Sequence, residues 1–244
     1  MTRSRHGAVR DGLLVLLTLT TGAVDAACFL QLGNVFSSVI TGNLVLIGVA
    51  AATQSASLAI NGGVALAGYS AGVLVGAPIA TRRARGGEIW PLSVSITLVA
   101  EFCVLAGFSV GWELTAGSPG STARVLLIAA LAVAMGIQSA AVRQLGGLST
   151  TYLTGTLTAV MAELVTRDRA PGLARRVGVF AAIVAGAAAG GLVAENAPAW
   201  LPAVIMTPLA AVVIASITGF DAAGGHPGPG PGLPGGAGRR PGVR

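Results

Sequence analysis

Six apolar runs, each long enough to cross a bilayer, constrain this chain more than any other feature. They cover roughly 11–32, 58–81, 90–111, 123–144, 172–193 and 199–219 of its 244 residues. A helix needs about 20 apolar residues to traverse the hydrocarbon core. Only 10% of the residues are charged, against about 25% in a soluble domain. With a mean hydropathy of +0.79, such a chain cannot clothe a water-facing surface. The residues therefore predict an all-α integral membrane protein whose partner is the lipid bilayer, and they exclude a soluble enzyme.

Charge and reactive residues narrow the chemistry. The cationic side chains are all arginine, with no lysine in the chain. That removes a Walker-A phosphate loop, a Schiff-base lysine and a kinase core. His6 and His226 lie in the polar tails, so no histidine-ligated metal or haem is expected within the membrane. No other cofactor is indicated. Cys28 and Cys103 fall inside apolar runs and read as free, packed thiols. The basic pI near 10.9 does not predict nucleic-acid binding. The arginines cluster between apolar runs as topology signals and form no stripe interleaved with aromatics. The basic start followed by Leu13–Leu19 resembles a signal peptide. However, the apolar run continues past Asp25, and an uncleaved first span is expected.

Two shorter runs remain, roughly 35–53 and 148–166. Each is interrupted by a polar, glycine-containing patch: Ser37-Ser38 then Thr41-Gly42-Asn43, and Ser149-Thr150-Thr151 then Thr154-Gly155-Thr156. A shift of 113 superposes the two, with five identities between 32–44 and 145–157. The same shift carries Gly68, Gly72 and Gly76 onto Ala181, Ala185 and Ala189. Each half then reads as long span, short interrupted segment, long span, long span. If the short segments cross the membrane, Arg82, Arg83 and Arg85 fall outside, against the positive-inside rule. If each enters and returns on one side, fourteen of the fifteen arginines lie inside and only Arg124 outside. The expectation is six transmembrane helices in two inverted three-helix repeats, each with a re-entrant short segment.

The expected layout is a cytoplasmic tail over 1–10, a first membrane repeat over 11–111 and an external loop over 112–122. A second repeat over 123–219 and a Gly/Pro-rich cytoplasmic tail over 220–244 follow. Both termini are expected on the cytoplasmic side of the membrane. Trp90, Trp112 and Trp200 fall at span ends, where interfacial anchors belong.

Gly22-Ala23-Val24-Asp25-Ala26, Leu32-Gly33-Asn34-Val35-Phe36 and Thr41-Gly42-Asn43-Leu44 together resemble the YoaK family of bacterial inner-membrane proteins, also called DUF1275. The resemblance covers about 10–220. It implies a polytopic bacterial membrane protein and brings no established substrate or catalytic residues. Thr156 stands where the first motif has Asn43, so the two patches are not chemically equivalent.

The candidate site follows from where polar groups enter apolar runs. Non-helical backbone at membrane depth needs a protein interior or water around it. If Thr41 and Thr154 cap short helices, two helix N-termini point to the midplane and favour an anion, a carboxylate or a dipole. Gly42 and Gly155 permit the turns; Asn43 and Thr156 supply hydrogen bonds. The competing reading is that these residues only allow close packing. Asp25 lies inside the first span and must be protonated, paired or wetted. It is a candidate proton carrier or cation binder, or else a neutral acid in an interhelical hydrogen bond. At a shift of 113 its counterpart is Gln138, which cannot titrate. Glu101 lies near the middle of the third span. Glu163 reads as structural, near Arg167, and Gln31 and Asn34 as lining an outer vestibule. The Gly68, Gly72, Gly76 stripe packs a helix at the repeat interface or a second copy of the chain.

The function expected is a small-solute transporter or channel with a midplane polar site formed by Asp25, Thr41, Gly42, Asn43, Gln138, Thr154, Gly155, Thr156 and Glu101. Its solute is unidentified, and proton coupling and passive flow both stay open. The alternative is a non-transporting scaffold or partner subunit, which needs only the packing stripes. An intramembrane enzyme would rest on Asp25 and Glu101 alone, with no zinc signature and no Ser–His pair.

Overall fold

The computed structural model describes residues 2–82, 90–145, 155, 157–158, 160–162 and 173–221. Among them every regular element is helical. Lipid offers the backbone no hydrogen-bond partner, so a chain this apolar must satisfy its amides within each segment. Helix α1 spans Thr2–Ala27 and runs on into a π-helical turn, Cys28–Gly33. Helices α2 (Ile40–Thr53), α3 (Ala56–Thr81), α4 (Leu92–Leu114) and α5 (Ser121–Gln144) follow, then α6 (Leu173–Asn196) and α7 (Leu201–Asp221). Among the described residues six segments are long and apolar enough to cross a membrane, and α2 is not one of them. Its 14 residues extend only about 21 Å, short of the roughly 30 Å core.

Two helix pairs organise the bundle. In the pairing of α1 with α6, a Cβ on Gly22 would meet the Ile183 carbonyl and lie 2.8 Å from the Ala187 nitrogen. In the pairing of α3 with α5, a Cβ on Gly136 would meet the Tyr69 carbonyl and lie 2.8 Å from the Val73 nitrogen. Gly186 lies against the Leu19 carbonyl as Gly72 lies against that of Val133. Gly190 and Gly76 face the Cα atoms of Ala23 and Ile137. Each contact in one pair is matched in the other at an offset of 114 residues. Within each pair the helices run parallel, because contacts advance together along both chains. With no side chains between them, the backbones meet directly, and dispersion between close surfaces replaces the hydrophobic drive that lipid removes.

This geometry corrects two sequence readings. Gly68, Gly72 and Gly76 correspond to Ala182, Gly186 and Gly190, not to Ala181, Ala185 and Ala189. Likewise Asp25 corresponds to Ser139, not Gln138. The loop motif repeats at 113 and the helices at 114, so the first half holds one extra residue between Ala23 and Leu32. The π-helical turn lies in that interval, and a π-turn is what a one-residue insertion makes of a helix. The glycine stripe is also filled: α5 of the same chain covers Gly68, Gly72 and Gly76, which leaves no room there for a second copy.

The helix ends show how α2 is connected. Gln31 Nε2 donates to the Ala194 carbonyl at 2.9 Å, and Trp112 Nε1 donates to the Pro198 carbonyl at 2.9 Å. The end of α1, the α4–α5 turn and the α6–α7 turn therefore share one end of the bundle. Because α3 runs parallel to α5, it also starts at that end. Helix α2 thus leaves and rejoins the same end. It packs beside α3, with Gly62 of α3 against Ile47 and the Asn43 carbonyl of α2. At the opposite end Arg175 Nη1 lies 3.4 Å from Asp11 Oδ1, joining the starts of α1 and α6.

Between the pairs, Leu98, Leu105 and Phe108 of α4, Ile128, Leu131 and Met135 of α5, and Leu201, Ile205 and Leu209 of α7 form a fully buried apolar core. Leu74, Val184, Leu126 and Ile214 are exposed, as lipid-facing residues should be. The tryptophans depart from the expectation of three interfacial anchors. Trp90 and Trp112 are buried and only Trp200 is exposed. Trp90 donates to Ser95 Oγ, and with Trp112 donating to Pro198, both indole N–H groups find partners inside the protein.

Gly72→Ala and Gly136→Ala should each lower stability by about 1–3 kcal/mol through overpacking against backbone. Gly48→Ala, whose Cβ meets nothing within 4 Å, should stay within about 0.5 kcal/mol of wild type. Thermal unfolding in detergent measures the difference.

Candidate functional site

The segment between α1 and α2 turns back into the bundle. Gly33 at φ 150° and Asn34 at φ 57° reverse the chain after the π-helical turn. Within a few residues it has returned to the level of Asp25. That side chain receives the loop. Its Oδ1 accepts from the Ser37 amide at 2.8 Å, the Ser37 hydroxyl at 2.7 Å and the Ser38 amide at 2.9 Å. Its Oδ2 accepts from the Ser38 hydroxyl at 2.5 Å. Every partner donates, which complements the acceptor-only oxygens of a carboxylate. Ser37, Ser38 and Asp25 are all buried, so these four bonds satisfy backbone and side chains that have no water to turn to.

Asn43 completes the turn from the other side. Its Oδ1 accepts from the Phe36 amide at 2.9 Å, and its Nδ2 donates to the Phe36 carbonyl at 2.6 Å. One amide side chain thereby closes both backbone groups of a single residue. The Phe36 ring stacks on Phe29 of the π-helical turn, with centroids 5.1 Å apart. Its edge also lies 3.4 Å from where a Cβ on Gly42 would stand, so the glycine leaves room for the ring. In the Thr-Gly-Asn motif, then, glycine and asparagine build the loop.

Thr41 does not cap the helix. Helix α2 begins at Ile40 with Val39 in the cap position and no side-chain cap, and Thr41 is exposed. The Asp25 carboxylate instead takes the amide groups just ahead of the helix, the place where a bound anion was expected. The first patch is therefore occupied by the chain's own carboxyl group.

Gln138 of α5 joins the same helix one turn away. Its Nε2 donates to the Leu17 carbonyl at 3.0 Å and lies 3.2 Å from Thr21 Oγ1. Thr21 and Asp25 are four residues apart on one face of α1, so α1 holds α5 with one side chain and the loop with the other. The structure thus brings together Asp25, Gly42, Asn43 and Gln138. Glu101 stands apart on α4. It is completely buried, and among the described residues neither carboxyl oxygen has a hydrogen-bond partner. Gly155 is helical and exposed. Thr154, Thr156 and Glu163 lie outside the described residues. Gln31, half-buried, donates to the Ala194 carbonyl, while Asn34 is exposed.

Sequence reasoning identified the Ser37-Ser38 patch without finding that its partner is Asp25, 12 residues before Ser37. It also missed Thr18 and Thr21, whose hydroxyls return to the carbonyls of Leu14 and Leu17. The threonines at 18, 20 and 21, within two turns of Asp25, were a readable sign of a polar inner face. Among the described residues no group of three His, Cys, Asp or Glu could hold a metal.

Asp25→Ala should strand four buried donors and cost about 3 kcal/mol or more, given the worth of hydrogen bonds to a charged group. Thr41→Val should change stability by under about 0.5 kcal/mol. Melting of the purified variants in detergent checks both.

The model of the family described as "Protein of unknown function (DUF1275)" matches residues 13–215. The chain is also similar to the UPF0700 transmembrane protein YoaK of Bacillus subtilis (strain 168). The two are 36% identical over 162 residues, 66% of this chain and 69% of the relative. No solved structure matches. The span of the match covers α2, α3, α4, α5 and α6 in full and most of α1 and α7, and the chain is a membrane protein belonging to the DUF1275 family.

Proposed function

We propose that this protein moves a small solute across the bacterial cytoplasmic membrane, with its termini inside and its two halves acting as inverted repeats. The observation that carries the reading is the loop before α2. A helix-packing scaffold has no need of a polar backbone turn inserted between its spans. Such a turn needs a buried carboxylate and an amide clamp to hold it. Non-helical backbone at membrane depth is tolerated where it is buried in protein or lines a cavity, and transporters build their sites at such helix breaks. The matched parallel pairs support the same reading, because each joins one helix from either half, and two such like pairs can rock against each other across the apolar layer between them.

On this reading Asp25 acts as a latch. While its carboxylate holds Ser37 and Ser38, the loop is closed against α1. Loss of those bonds frees the loop and the N-terminal turn of α2, with Thr41 on the exposed side. Gln138 keeps α5 on α1 during the motion.

The rival reading is a non-transporting scaffold or partner subunit. The filled apolar core between the helix pairs favours it. Stopped-flow light scattering of proteoliposomes separates the two, using glycerol, urea, formate and acetate as probes. Transport predicts swelling faster than in protein-free liposomes for at least one probe. Asp25→Asn should change that rate by about tenfold, the effect of roughly 1.4 kcal/mol on a barrier, while Gly48→Ala should leave it unaltered. Swelling no faster than in protein-free liposomes for every probe, together with copurification of a stable partner, would establish the scaffold instead.

A further inference from the structure

Asp25 and Glu101 are both buried carboxyls, and their surroundings are opposite. Asp25 faces four donors. Glu101 is 0% exposed and meets none. It lies in the stripe Val94, Leu98, Glu101, Leu105, Phe108, Trp112, every member of which is buried. Those positions recur every three or four residues, so they share one face of α4. That face is turned into the protein, not toward lipid.

An unpaired carboxylate in such a place is too costly to stand without a ligand. The elements packed against α4 are α3, α5 and α7. Their titratable and charged residues are few. Helix α3 has Tyr69, α5 has Arg124 and Arg143 close to its two ends, and α7 has only its last residue, Asp221. On α4 itself stand Cys103 and Glu113. None of the described residues places a hydrogen-bonding atom on either Glu101 oxygen. A metal cation needs several oxygen ligands, and no cluster of acidic, cysteine or histidine side chains supplies them among the described residues. A proton needs one oxygen only.

We propose that Glu101 is a proton-binding site at the centre of the bundle and, resting on the transport reading above, the group through which a proton gradient drives solute movement. The step is a simple one. The carboxylate takes up one proton as a neutral acid when it faces one side, and releases that proton when it faces the other. Asp25, already held by four donors, has the structural part, and Glu101 the exchangeable part.

Infrared difference spectroscopy of the full chain in lipid nanodiscs, at stepped pH in H2O and in D2O, tests the site without any solute. The expected result is a carboxylic-acid carbonyl band that shifts in D2O and gives way to a carboxylate band as pH rises. It should be absent from Glu101→Gln, retained at a moved frequency in Glu101→Asp and unaffected by Asp25→Asn. A wild-type spectrum without that band at any pH would overturn the proposal. So would a band that neither exchanges in D2O nor responds to pH, since that acid is a fixed structural group. The coupling is read separately in proteoliposomes. A transmembrane proton gradient should accelerate flux several-fold in wild type and leave Glu101→Gln unresponsive. Equal acceleration in both would overturn the coupling. If no probe moves through wild type, the transport reading and the coupling fall together, while the infrared result still decides the proton site.

Discussion

A peptide group that leaves helical geometry inside a membrane must find its hydrogen bonds in the protein, and in this chain one carboxylate provides them. Asp25 receives two backbone amides and two hydroxyls from Ser37 and Ser38. Without it the segment between α1 and α2 would have no reason to turn inward. The rest of the first half follows from that turn. Asn43 closes Phe36, the Phe36 ring lies on Phe29, and α2 is left too short to cross. Helix α3 therefore starts at the end where α1 finishes. The inward turn, held by Asp25 and Asn43, thus goes with α3 beginning at the end where α1 finishes.

The helix pairs supply the second level of order. Glycine at Gly22, Gly136, Gly72 and Gly186 brings backbone onto backbone in two places with the same geometry. Close approach of this kind is sensitive to a single methyl group, so each pair behaves as a rigid body. The two bodies meet across a layer of leucine, isoleucine and methionine side chains, which can slide over one another more readily than glycine-locked backbones. On the transport reading, the seam between the closely fitted pairs and the loop held by Asp25 are the parts that move.

The sequence carried the outline of the fold because length and hydropathy follow directly from bilayer thickness. The run expected at 58–81 is Ala56–Thr81 in the structure, and that expected at 123–144 is Ser121–Gln144. The loop motif was legible as well, since a cluster of glycine and small polar residues breaks an apolar run where the backbone turns or packs closely. What stayed hidden depended on pairings between distant positions. Nothing local indicates that Ser37 and Ser38 face Asp25, or that Glu101 faces no partner. The repeat was found at the loop offset of 113, and the extra residue in the π-helical turn concealed the helix offset of 114. Tryptophan misled for a related reason. A span end can face the headgroups or a neighbouring turn, and Trp112 chose the Pro198 carbonyl.

The segment from Asn34 to Thr53 leaves and rejoins one end of the bundle, so both its ends belong at one face of the membrane. The most direct measurement of this is labelling of single cysteines by a membrane-impermeant maleimide in intact cells, with Cys28 and Cys103 replaced by alanine. Ser55→Cys and Leu114→Cys should react from the same side, and Arg82→Cys only from the opposite one. Reaction of Ser55→Cys and Leu114→Cys from opposite sides would make α2 a crossing helix and contradict the account.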